Sequence, residues 1–203
     1  MNTFFSPETI ERVIDFHGHE CPGLAIGIRA SELCLSKIGH NNDSPLVAIC
    51  ETDMCGVDAI QFLTGCSVGK GNLLLQDHGK MAFTFFRRGD GEGFRALLNS
   101  DFMSSGREEM SELMRIVNED IATAEQKEKC TAIRAKVQAG YLKADLTEIF
   151  LVDKPLIKMP RPAKILQSLT CKGCGEKLME SRSRRFAGQT LCIPCFDKVE
   201  QKI

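Results

Sequence analysis

Two clusters of soft donor residues stand out in the chain, and both have spacings suited to a metal ion. The first is a cysteine quartet, Cys171-Lys172-Gly173-Cys174 followed by Cys192-Ile193-Pro194-Cys195. Two residues between paired cysteines let both sulfurs reach one ion from a tight turn, and the amides of that turn can donate to the thiolates. Gly173 and Gly175 suit such a knuckle because glycine accepts positive φ angles. Four thiolates leave no open position, so the quartet reads as a structural zinc site rather than a catalytic one. The second cluster is Phe16-His17-Gly18-His19-Glu20-Cys21-Pro22-Gly23. Here two imidazoles and a thiol crowd the start of an expected helix. Cys21 falls at the cap and Pro22 in the first turn, where unpaired amides and the helix dipole favour thiolate over thiol. Such donors hold zinc, nickel or iron and can leave a coordination position open, with zinc the first choice.

One short segment does not readily turn all three side chains inward, so a remote ligand is expected. The candidates are Cys55, in Asp53-Met54-Cys55-Gly56-Val57-Asp58, and Cys66, in a glycine-rich stretch. Cys55 also precedes an expected helix, so the same dipole argument applies. Cys34, Cys50 and Cys130 lie in apolar, periodic surroundings and read as small core residues. Histidines that merely pack or cap locally are the bland reading of His17 and His19; the density of donors favours metal. A different chemistry makes Cys21 or Cys55 a nucleophile with a histidine base. Asp58 would orient a ligand histidine or act as an acid or base. In Gly69-Lys70-Gly71-Asn72 the glycines free successive amides to face an anion, and Lys70 adds charge. That loop is therefore a candidate closure over an anionic small molecule near the metal. It lacks the Walker spacing, which argues against a nucleotide.

The elements that position these residues follow from capping and periodicity. Ser6-Pro7-Glu8 starts a helix that should run to about Phe16. Pro22 restarts one, with Leu24, Ile28, Leu33 and Leu35 as its apolar side and Gly39 as its stop. Leu46 to Cys50 reads as a buried strand and Val57 to Leu63 as a helix. Leu73 to Gln76 and Met81 to Arg87 suggest two strands joined by a tight turn at Asp77-His78-Gly79. From Glu92 to about Gln138 the pattern is mostly helical, with breaks near Ser104-Ser105-Gly106 and at Asn118. Leu146 to Val152 suggests another strand. Pro155, Pro160 and Pro162 mark an extended linker. The expected organisation is thus an α+β core over 1–153, a linker over 154–165 and a zinc module over 166–203. The module is too small for an adequate apolar core, so metal must supply much of its folding free energy.

Composition sets outer bounds. The chain has 203 residues, 43% of them hydrophobic and 26% charged, with a formal net charge of -1. No apolar run approaches the roughly 18 residues of a membrane span, and the N-terminus lacks the features of a signal peptide. The protein is expected to be cytoplasmic and not membrane-bound. Ten cysteines without an export signal point to metal rather than disulfides. Arg182, Arg184 and Arg185 give the zinc module a basic patch. With no basic excess overall and no aromatic platform, a solvated face is favoured over nucleic-acid contact.

The segment from Phe16 to Gly23, continuing to Gly27 and Arg29, closely resembles the opening signature of the FmdE family of formylmethanofuran dehydrogenase proteins. Cys55-Gly56-Val57-Asp58-Ala59-Ile60-Gln61 and Gly69-Lys70-Gly71-Asn72-Leu73 resemble its second and third blocks. The cysteine quartet resembles the zinc finger often fused to that domain. The resemblance implies a dimeric α+β core with a metal site at the His/Cys motif. It puts His19, Cys21 and Cys55 first as core ligands, with His17 and Cys66 next. It also implies association with a molybdenum or tungsten oxidoreductase that fixes carbon dioxide as a formyl group. Since the chain shows no pterin-binding domain or iron–sulfur motif, its role there would be that of an accessory subunit or small metalloprotein. A stand-alone metal scaffold, sensor or chaperone, and a zinc-finger regulator contacting nucleic acid, are the competing expectations.

Overall fold

The computed structural model describes residues 3–102 and 107–199. The chain divides into two compact units, Met1–Pro162 and Ala163–Ile203. Helix α1 (Pro7–His17) begins as its cap predicts: the Ser6 hydroxyl accepts from the Thr9 amide, and Gly18 ends the helix at φ 91°. Helix α2 (Pro22–Ile38) starts at Cys21, whose sulfur accepts from the Leu24 amide, and is buried along most of its length. Strand β1 (Leu46–Cys50) is buried on both faces. It is followed by α3 (Gly56–Thr64), β2 (Leu73–Leu75), β3 (Ala82–Arg87) and β4 (Gly93–Leu98). Helices α4 (Arg107–Asn118) and α5 (Ala124–Lys143), the one-turn α6 (Leu146–Ile149) and β5 (Phe150–Asp153) complete the first unit.

The five strands form one sheet in the order β2-β1-β3-β4-β5. Helix α3 is the crossover between β1 and β2, which pair in parallel. A parallel pair cannot be closed by a tight turn and needs such a crossover. The turn at Asp77-His78-Gly79 therefore does not join a hairpin. It lets the chain step over β1, and the amides of His78 and Lys80 both donate to the Glu51 carbonyl. The hairpin of the sheet is instead β3–β4, antiparallel with Phe85 opposite Phe94.

Two further expectations are corrected here. Gly93–Leu98 is a strand, not part of a long helix. Phe94 and Ala96 alternate into the core, while Arg95 turns to the other face and grips Glu51 through Nε at 2.6 Å and Nη2 at 2.9 Å. That pairing, first through the hydrogen bond itself, holds the Glu51 carboxyl below the usual range. Leu146 to Val152 is not one strand either. Asp145 and Glu148 form a capping box that winds the first four residues into α6 before β5 begins. Helix α5 extends past Gln138 to Lys143. The break expected at Ser104-Ser105-Gly106 lies outside the described residues.

The main core lies between the sheet and α1, α2, α3 and α5, with Val13, Leu24, Ile28, Ile60, Phe83, Phe85 and Ile149 fully enclosed. Cys34, Cys50 and Cys130 are buried, as apolar residues would be. Burial pushes the Cys50 thiol up to about 12, so it is inert at neutral pH. On the opposite face Val47, Ile49 and Phe86 form a smaller cluster, and Met159 packs onto it. The Arg88 guanidinium donates to the Pro160 carbonyl at 2.8 Å. The segment after β5 thus lies back against the sheet at Met159 and Pro160.

The second unit contains two hairpins. Strands β6 (Ser168–Thr170) and β7 (Lys177–Met179) flank the first cysteine pair, and β8 (Ser183–Phe186) pairs with β9 (Gln189–Cys192). The short helix α7 (Ile193–Phe196) carries Cys195. Among the described residues no helix is long and apolar enough to cross a membrane.

Candidate metal centres

The close packing of α2 on α3 creates the core site. A Cβ added at Gly27 would lie 2.2 Å from the Gly56 carbonyl oxygen, so the two backbones touch with no room for a side chain. At Gly23 a Cβ would lie 3.3 Å from the Cys55 Cβ, and within 4 Å of the sulfurs of both Cys55 and Cys21. Glycine at these places brings the N-terminal ends of two helices side by side. Cys21 caps one and Cys55 precedes the other, so both thiols sit in the positive field of a helix start.

Four donor atoms converge there. His17, His19, Cys21 and Cys55 each offer one ligand atom, and all four lie within 4.8 Å of one another. His17 Nδ1–H donates to Asp58 Oδ2 at 2.7 Å, which leaves Nε2 facing the Cys21 sulfur at 4.0 Å. This carboxylate–imidazole arrangement is the one that orients a metal-ligating histidine and fixes its tautomer. His17 and His19 stack with ring centroids 4.4 Å apart. Cys21 is buried, Cys55 half-buried and His19 exposed, so the group is reached from solvent on the His19 side. Burial, then the hydrogen bond to the Cys21 thiol, raises the Cys55 thiol. A bound dication inverts that logic by favouring both thiolates. Two imidazoles and two thiols within bonding reach of one point suit zinc and other borderline-soft transition ions.

Two sequence candidates are placed elsewhere. Cys66 follows Gly65, the C-terminal cap of α3, and is fully buried beside Thr64, whose hydroxyl accepts from its amide. Lys70 lies in the same loop and donates from Nζ to the Gly65 carbonyl at 3.0 Å. Cys55 stands at the other end of the helix, about 13 Å away at ~1.5 Å per residue. The expectations that Cys66 ligates the core metal and that Lys70 closes over it are therefore corrected by the length of α3. Asp58, though its side chain is partly exposed, is engaged by His17, which fits the orienting role rather than that of an independent acid.

The C-terminal quartet is also assembled. Cys171, Cys174, Cys192 and Cys195 bring their sulfurs within 4.8 Å of one another. The amides of Cys192 and Gly173 donate to the Cys171 sulfur at 3.2 and 3.3 Å. Such donation, from Cys192 first, holds the Cys171 thiol down to about 6. Gly175, at φ 78°, supplies the positive angle of the knuckle.

A feature with no linear signal lies beside His19. Residues of α5, more than a hundred positions along the chain, wall a cavity of about 250 Å³ with His19, Glu20, Thr131 and Arg134. Nothing in the stretch around Arg134 and Gln138 marks it as more than helix.

These features define a two-unit α+β protein with a mixed histidine–cysteine group in its core unit and a separate four-cysteine zinc finger. The chain belongs to the FmdE family, described as that of the molybdenum formylmethanofuran dehydrogenase operon, which matches residues 16–151. Residues 164–201 match the prokaryotic dksA/traR C4-type zinc finger. A probable S-adenosyl-L-methionine-binding protein of Archaeoglobus fulgidus is 30% identical over 194 residues, covering 91% of this chain and 51% of that protein. The chain thus spans about half the length of that relative. The fold is similar to the crystal structure of a tungsten formylmethanofuran dehydrogenase FmdE-like protein from Syntrophus aciditrophicus. That likeness has a TM-score of 0.61 at 23% identity and covers 93% of this chain and 90% of the other.

The Asp58–His17 contact has a measurable consequence. Asp58→Asn is expected to lower metal affinity at the His/Cys group about 10–100-fold, the usual cost of losing such a partner. Competition with a chromophoric chelator reads this directly, and the four-cysteine site serves as the internal reference.

Proposed function

We propose that the protein is a small metalloprotein acting as an accessory subunit of a molybdenum- or tungsten-dependent enzyme of one-carbon, formate-type chemistry. Zinc occupies the four-cysteine site in this reading, and a second transition ion, zinc first, is held by His17, His19, Cys21 and Cys55. The observation that carries the proposal is the convergence of those four donors at two helix N-termini, in a chain of the FmdE family. The chain's own residues would bind and orient the ion: Asp58 fixes the His17 ring, and the helix ends favour thiolate. When bound, the ion supplies Lewis-acid character on the side where His19 meets solvent. The zinc finger contributes a rigid docking module rather than chemistry.

The test is genetic complementation with an enzyme assay. In cells lacking this chain, carbon dioxide-to-formyl activity in extracts should fall and be restored by the intact protein. Cys21→Ser/Cys55→Ser should not restore it. Full activity with that variant would mean that the His/Cys metal plays no part in it, and undiminished activity in cells lacking the chain would leave the protein as a metal-binding scaffold independent of such an enzyme.

A further inference from the structure

The cavity beside His19 does not end there. A second one, of about 280 Å³ and more apolar, adjoins it, and Glu20, Ala135 and Gln138 line both. Gln138 donates from its amide nitrogen to the Glu20 carboxylate at 3.3 Å, so a single exposed hydrogen bond stands at their shared boundary. The two halves differ in character. The first contains Arg134, which is half-buried and forms no ion pair among the described residues. The second is walled by Ile10, Ile14 and Leu142. The carboxylate lining the same cavity, Glu20, is engaged by Gln138, and no ion pair joins it to the guanidinium.

A half-buried guanidinium without a counter-ion presents a planar fork that matches a carboxylate. An adjoining apolar compartment adds affinity in proportion to the hydrocarbon it covers. Each half falls just below the usual size of a ligand pocket, and the two together come within it. We propose that this bipartite cavity binds a small amphipathic carboxylic acid, its carboxylate on Arg134 and its alkyl chain between Ile10, Ile14 and Leu142. The acid's head then lies beside His19. That it is a substrate site of the metal centre rests on the function proposed above; the binding itself does not.

Octanoate is the probe, titrated calorimetrically into the full, zinc-loaded chain. Wild type should bind octanoate, and acetate, which keeps the head and loses the chain, should bind at least about tenfold more weakly. Arg134→Gln should weaken octanoate by about tenfold or more through loss of a charge-assisted pair. Ala139→Phe, which fills the apolar half, should do the same. Lys80→Gln, which removes an exposed cation outside both cavities, should leave binding unchanged. No octanoate binding, or equal binding by wild type and Arg134→Gln, overturns the proposal. In His19→Ala, octanoate should still bind. If binding instead vanishes with the metal and ignores Arg134, the acid is a metal ligand, and the cavity proposal fails while the metal centre stands.

Discussion

Replacing Cys171 by serine should unfold the C-terminal unit and leave the core unit intact. The unit spans Ala163–Ile203, and Cys171 and Leu191 are its buried apolar residues among those described. A core that small cannot offset the chain entropy lost on folding. Structural zinc in comparable finger peptides contributes about 10–16 kcal/mol, which matches or exceeds the total stability of an ordinary domain. Cys171 is the ligand most embedded in the knuckle, since amides from both halves of the site converge on its sulfur. In a two-dimensional amide spectrum of the Cys171→Ser protein, the dispersed signals of residues 168–199 should collapse to random-coil positions. Those of the sheet should remain. A strong chelator added to wild type should reproduce the change. Retained dispersion in the second unit would show that the hairpins hold without the ion.

The second large effect involves no ligand at all. Gly27→Ala should strip the metal from the His/Cys group. The added methyl meets the Gly56 carbonyl oxygen at 2.2 Å and the Gly56 Cα at 2.5 Å. These are backbone atoms of a helix, so no rotamer change relieves the contact. The helices must separate, at about 1–3 kcal/mol for overpacking of this kind. Because Cys21 heads one helix and Cys55 the other, separation also pulls the two sulfurs apart. Metal–ligand distances tolerate about 0.2 Å, so a shift of several tenths should cost most of the affinity. Metal content should fall by the core equivalent while the finger keeps its own. A Gly27→Ala protein that retains both would mean that the helix contact does not set the site.

This dependence on packing explains which parts of the site are legible in the sequence. The donors of both sites are dense in soft residues at short spacing, and spacing survives in one dimension. Helix starts are legible for the same reason: Ser6-Pro7 and Cys21-Pro22 carry their caps locally. The neighbourhood of a residue across the fold is not. Cys66 and Lys70 are close to Cys55 in sequence, yet nine residues of helix carry them to the opposite end of α3. Arg134 and Gln138 are distant in sequence and lie against His19 and Glu20. Strand β4 escapes a linear reading because Gly93-Phe94-Arg95-Ala96-Leu97-Leu98 is short and mixed. Its alternation becomes plain only once Glu51 accepts Arg95 on one face and the core accepts Phe94 on the other. The pairing of β1 between β2 and β3 is likewise a long-range fact, which no turn signal encodes.

The central claim is that the chain holds two separate metal ions, one of them on His17, His19, Cys21 and Cys55. Elemental analysis per chain tests it, on protein purified without affinity-tag metal. Wild type should carry about two equivalents, as the two donor groups require. Cys171→Ser/Cys174→Ser and Cys21→Ser/Cys55→Ser should each carry about one, lost from different sites. One equivalent in wild type and none in Cys171→Ser/Cys174→Ser would contradict the account, leaving the zinc finger as the sole metal centre.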